Sequence, residues 1–177
     1  GDWNTPKQVT VTGVNDSLDD GNVVFSIVTA AATSADPKYS GLNPNDVSVT
    51  NVDDDTAGIT VSAISGNTTE AGGTATFTVV LNAQPTNNVS IGLSSSDTTE
   101  GTVLPSSLQF TSGDWSAPKL VTVTGVDDAL DDGNVGYSII TAPAVSADGK
   151  YSGFNAADVA VINSNNEGGV IHSDSFE

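Results

Sequence analysis

The sequence predicts an all-β chain: an antiparallel, seven-stranded, immunoglobulin-like β-sandwich in tandem repeats of about 112 residues. Three observations predict it. Short runs rich in Val, Ile, Thr and aromatics alternate apolar with polar residues at a period of two, each bounded by Gly, Pro, Asn or Asp. No window carries the 3.6-residue apolar stripe of an amphipathic helix. Residues 1–55 align without a gap on residues 113–167 at a constant offset of 112, with about 35 of 55 positions identical. A period of that length is too long for a solenoid turn and suits a bead-like domain.

Taken in order, the runs of the complete repeat are "GITVSAI" (58–64), "TATFTVVL" (74–81), "NVSIGLS" (88–94), "SSLQFT" (106–111), "KLVTVTGV" (119–126), "VGYSIITA" (135–142) and "DVAVIN" (158–163). Seven strands in about 110 residues is the count of a two-sheet sandwich. Trp115, Phe77, Phe110, Tyr137 and Tyr151 are its expected large core side chains. Residues 1–55 supply only three runs, "PKQVTVTGV" (6–14), "NVVFSIVTA" (22–30) and "DVSVTNV" (46–52). The chain therefore reads as the second half of a repeat (1–55), a complete repeat (56–167) and a short tail (168–177). Three strands leave open edges and an uncovered apolar face. The half repeat is expected to pack on a neighbouring repeat or to accept strands from another chain, which would build a filament.

The formal net charge is −18, with four lysines, no arginine and one histidine. Nucleic acid and anionic membrane both demand a basic face, so neither is an expected partner. No cysteine is present, which rules out disulfides and leaves the compartment open. No apolar run is long enough to span a bilayer. The repeat is already under way at residue 1 and no signal peptide is seen, so the chain reads as a fragment whose targeting segment lies upstream.

The acidic residues are not spread evenly. "VDDALDDGNV" (126–135) holds Asp127, Asp128, Asp131 and Asp132, and "VNDSLDDGNV" (14–23) holds Asp16, Asp19 and Asp20. Glu70 follows the first strand of the complete repeat, Asp97 the third, the Asp127–Asp132 loop the fifth and Glu167 the seventh. In an up-and-down sandwich, loops after odd-numbered strands share one end, so these carboxylates are expected at one pole. Like charges that close need compensation to stay ionised. A hard divalent cation supplies it, and calcium, with six to eight oxygen ligands in loose geometry, fits best. Magnesium ranks second; zinc prefers His or Cys, and no such cluster exists.

With those residues in place, the chain resembles the Calx-β domain, a seven-stranded calcium-binding sandwich of sodium–calcium exchangers and many bacterial surface proteins. The resemblance covers about residues 57–167, and residues 1–55 as a truncated second copy. It implies calcium ligands at Glu70, Asp97, Asp127, Asp128, the Leu130 carbonyl and Asp131 or Asp132, with Asp53, Asp54 and Asp55 as the terminal cluster of the first copy. The sequence departs from the pattern in two places. The second copy ends on Asn165, Asn166 and Glu167, with less charge, and Asn15 stands where the first copy would have the loop's first Asp. Without counterparts of Glu70 and Asp97, residues 1–55 hold half a site.

Other features carry less chemistry. His172, Ser173 and Asp174 are adjacent in the tail and do not make a triad, because catalysis needs fixed mutual geometry. Lys7, Lys38, Lys119 and Lys150 recur at equivalent positions and read as surface partners of Asp. A carbohydrate-binding module is a weaker alternative. The expected function is non-enzymatic: a calcium-stiffened repeat of a secreted or surface protein, binding Ca2+ and contacting neighbouring repeats.

Overall fold

The computed structural model describes residues 2–168. It divides between Asp55 and Thr56 into two compact units. The tail with His172 lies outside the described residues.

The first unit holds β1 (Val23–Ile27) and β2 (Val47–Asn51), paired antiparallel from Val23↔Asn51 to Ile27↔Val47. The second unit holds β3 (Ile59–Val61), β4 (Thr68–Thr69), β5 (Thr74–Leu81), β6 (Val89–Ser95), β7 (Gly101–Leu104), β8 (Ser107–Phe110), β9 (Lys119–Gly125), β10 (Val135–Thr141), β11 (Val145–Ser146) and β12 (Val159–Ser164). Among the described residues there is no helix. One sheet of the second unit has the order β3-β5-β9-β7. The other runs β11-β6-β10-β12-β4, with β8 also on β6.

Period-two alternation explains how these sheets face each other. Ala75, Phe77, Val79 and Leu81 of β5 point inward, as do Val121 and Val123 of β9. Val89, Ile91 and Leu93 of β6, Tyr137 and Ile139 of β10, and Val159 and Val161 of β12 meet them from the second sheet. These residues form one core, with Trp115 packed against it half-buried. The intervening Thr and Ser residues face outward. Tyr151 is pinned in the core by its hydroxyl, which donates to the Ala83 carbonyl (2.6 Å) and accepts from the Ala83 amide (3.2 Å).

Three expectations need correction. Among its described residues the second unit has ten strands, because β4, β7 and β11, of two to four residues each, add to the seven expected. Runs that short show no alternation to read. The sandwich is also not wholly antiparallel, since β4 pairs parallel with β12. Finally, residues 6–14 form no strand, although their counterpart β9 does. The reason lies in pairing. β9 is held between β5 and β7, and the described residues of the first unit contain no counterpart of either strand.

Local structure nevertheless repeats at the offset of 112. Leu18 N bonds Asp16 Oδ1 (2.9 Å) as Leu130 N bonds Asp128 Oδ1 (2.7 Å). Thr29 N bonds Asp46 Oδ1 (2.9 Å) as Thr141 N bonds Asp158 Oδ1 (2.9 Å). Asn51 Nδ2 bonds the Val14 carbonyl (2.8 Å) as Asn163 Nδ2 bonds that of Val126 (3.1 Å). Gly21 and Gly133 close the two acidic loops at φ of 84° and 78°, a region that side chains disfavour.

Candidate metal centre

Strand pairing, more than sequence proximity, assembles the carboxylates of the second unit. β7 pairs with β9 at Gly101↔Gly125, so Glu100 lies beside Val126, whose amide donates to the Glu100 carbonyl (3.0 Å). β4 pairs with the end of β12 at Asn163↔Thr68, so Glu70 lies beside the segment 165–167. The Glu70 amide donates to the Ser164 carbonyl (3.1 Å) and Glu70 Oε2 accepts the Asn166 amide (3.0 Å). Between them runs the acidic loop from β9 to β10.

Two carboxylate groups result. In the first, one oxygen each of Glu100, Asp128 and Asp132 lie within 4.8 Å of one another. Glu100 is buried, Asp128 half-buried and Asp132 exposed. Burial raises the Glu100 carboxyl above its ordinary value. Asn163, donating to Oε2 at 3.3 Å, opposes the shift, and Asp132, Asp97 and Asp128 add to it. In the second group, Glu167 lies against Glu70, with Asp127 nearby. Asn166 ties the last two together, donating through its side chain to Asp127 Oδ1 (3.2 Å) and through its amide to Glu70.

Glu167 Oε2 is buried and has no hydrogen-bond donor. The group that acts on it most, the Glu70 carboxyl, is an acceptor like itself. Two such groups bond each other only by retaining a proton, which is why Glu70 is the main cause raising the Glu167 pKa, followed by burial. A cation between them would serve the same purpose. Hard oxygen donors, most of them carboxylates, from separate loops could hold a hard metal cation.

The remaining predicted residues fall as follows. Asp131 accepts from Asn165 Nδ2 (3.0 Å). The Leu130 side chain is exposed, and its amide caps Asp128. Asp97 turns onto its own loop, accepting from the Thr99 amide (3.0 Å) and hydroxyl (2.6 Å); these bonds hold its pKa below the ordinary value. Glu100, three residues on, takes the place in the group that the sequence assigned to Asp97. The Asp-x-Thr pattern, a common side-chain-capped turn, was the signal that Asp97 had a local partner.

In the first unit, Asp16, Asp20, Asp53, Asp54 and Asp55 line one acidic recess. Asp53 Oδ2 accepts the Gly21 amide (2.6 Å) and Oδ1 accepts the Asp55 amide (2.9 Å). The Asp55 pKa is raised, first by partial burial and then by Asp54, Asp53, Asp16 and Asp19.

No protein-family model and no curated protein matches the chain. Among solved structures, SSP-19, an MSP-domain-like family member of Caenorhabditis elegans, is 16% identical over 59% of this chain and 98% of its own, with a TM-score of 0.39. Domains 1–6 of the surface layer protein SbsC are 18% identical over 84% of this chain and 20% of theirs, at 0.38. Domains 4 and 5 of the same S-layer protein are 16% identical over 82% and 70%, at 0.36.

Proposed function

We propose that this chain is a calcium-binding structural module of a secreted or cell-surface protein, a Calx-β-like sandwich repeat with a mechanical and non-catalytic role. The observation that carries this reading is the convergence of Glu100, Asp128 and Asp132, from two loops, to within 4.8 Å. The donorless Glu167 oxygen against Glu70 supports it independently. Glu100, Asp128 and Asp132 would hold one ion, and Glu70, Asp127 and Glu167 the second group's ion. Bound calcium would supply the positive charge that offsets their mutual repulsion.

The protein's own residues do the rest. Asn163 orients Glu100, Asn166 spaces Glu70 from Asp127, and the Asp128 turn holds the acidic loop in shape. The carboxylates belong to segments spread over about 100 residues of sequence, so a shared ion ties distant parts of the sandwich together. A site with Kd ten-fold below the ambient calcium level adds about 1.4 kcal/mol of stability.

Thermal melting with calcium and with chelator tests the proposal. Calcium is expected to raise the melting temperature of the second unit, and Glu100→Gln with Asp128→Asn to abolish the rise. Identical melting curves in calcium and chelator, with no heat on calorimetric titration, would leave a metal-free acidic spacer.

A further inference from the structure

The first unit is a sandwich half with its inner face uncovered, and the second unit shows what covers that face. Positions related by 112 have nearly the same sequence and opposite burial. Val9 is 78% exposed and Val121 is 0%. Tyr39 is 61% exposed and Tyr151 is 1%, while Val47 is 54% and Val159 is 7%. Trp3 is 90% exposed, whereas Trp115 packs on the core. In the second unit the cover is the segment 56–112. β5 pairs along β9, β6 along β10, and the Ala83 backbone holds Tyr151. Because the turn and cap hydrogen bonds at Asp16/Asp128, Asp46/Asp158 and Asn51/Asn163 recur in both units, the first unit already has the local fold that receives such a segment.

A second copy of these 177 residues does not meet the need. They hold two halves of the 113–167 kind and one of the 56–112 kind. Exchanging the covering half between copies frees as many faces as it fills. Growth of a filament by such exchange therefore gains no burial.

We infer that the face of the first unit is a docking surface for a further polypeptide segment of the 56–112 type, supplied from outside these 177 residues. The register follows from β5 on β9, where Thr74↔Thr124, Phe77↔Val121 and Val79↔Lys119 are partners. The segment's Phe77 counterpart falls opposite Val9, its Thr74 counterpart opposite Thr12 and its Val79 counterpart opposite Lys7. Residues 6–14 then become a strand. The segment also brings counterparts of Glu70 and Glu100 to the recess of Asp16, Asp20 and Asp53–Asp55; this last step rests on the calcium reading proposed above.

The test adds a synthetic polypeptide with the sequence of residues 56–112 to the full chain in chelator. A second probe, residues 73–83 alone, covers the case in which the long one aggregates. A 1:1 complex is expected, with hydrogen exchange slowed over residues 6–14 and 22–30 and with Trp3 fluorescence shifted to the blue. Val9→Asp, at an exposed position, should weaken the complex about ten-fold or more by burying a charge, without moving the melting of the second unit. The inference is overturned if neither probe slows exchange in the first unit. It is also overturned if the added segment exchanges only into the second unit, or if the chain alone self-associates with protection of residues 6–14. Calcium is then added. Tighter binding supports the shared site; unchanged binding sinks only that step and leaves complementation standing.

Discussion

The two units offer the same words in two settings. From Gly13 to Asn51 and from Gly125 to Asn163 the chain keeps its turns, its side-chain caps and its β-pair register. Only in the second unit does that half fold hold a core. Local hydrogen bonds are thus written into about 40 residues, whereas burial belongs to a pair of halves. Most of the hydrophobic stabilisation lives on the second link.

Matched substitutions break the comparison most sharply. Tyr151→Ala removes a fully buried ring and leaves the Ala83 amide and carbonyl unpaired, so a loss of about 3–5 kcal/mol is expected in denaturant unfolding. Tyr39→Ala, at the exposed counterpart, should stay within about 0.5 kcal/mol. Equal losses at both positions would show that the first unit buries its face after all. The next largest contrast is between two glycines. A Cβ at Gly125 would fall on the Thr69 carbonyl oxygen and on Asn163 Oδ1, while one at Gly13 meets only the Asn51 side chain. Gly125→Ala is expected to cost about 1–3 kcal/mol, and Gly13→Ala clearly less because a side chain can yield where backbone cannot.

The same contrast explains what could be read from the sequence. All seven runs of the complete repeat are strands, because alternation over four or more residues reports a half-buried surface directly. "PKQVTVTGV" alternates equally well and is not a strand, since alternation states a preference and pairing needs a partner. β4, "TT", carries no pattern at all, yet its parallel pairing brings Glu70 to the segment 165–167. The acidic loop and Glu70 were legible as charge. Glu100 was not, because its place depends on β7, a four-residue strand hidden inside what reads as a loop.

Acidity sharpens the comparison at the carboxylates. Glu100 and Glu167 have raised pKa values in the folded protein, so their contribution to stability is complete below their ordinary value of 4.5 and is lost as pH rises through the raised values. In chelator the melting temperature of the second unit should therefore climb as pH is lowered from 7 toward 4.5. Calcium should flatten that climb by offsetting the same charges. Glu100→Gln should raise the chelated melting temperature at pH 7, and a variant that melts lower there would argue that the charge is needed without an ion.

The smallest expected difference concerns an ion pair present in both units. Asp114 accepts from Lys119 at 2.6 Å and from the Thr111 amide and hydroxyl, and Lys119 also sits 5.0 Å over the Phe110 ring. These bonds, that to Lys119 foremost, lower the Asp114 pKa from 3.8 to about 2. Its contribution is therefore full above pH 3.8 and lost as pH falls toward 2. Asp2 and Lys7 make the equivalent pair in the first unit, more exposed and without a Phe110 counterpart. Asp114→Asn should lower the melting temperature at pH 7 by about 2 °C, as partly exposed pairs do, and shrink the decline below pH 3.8. Asp2→Asn should leave both unchanged. If the two variants behave alike, neither the ring beneath Lys119 nor the lower exposure of its pair adds stability.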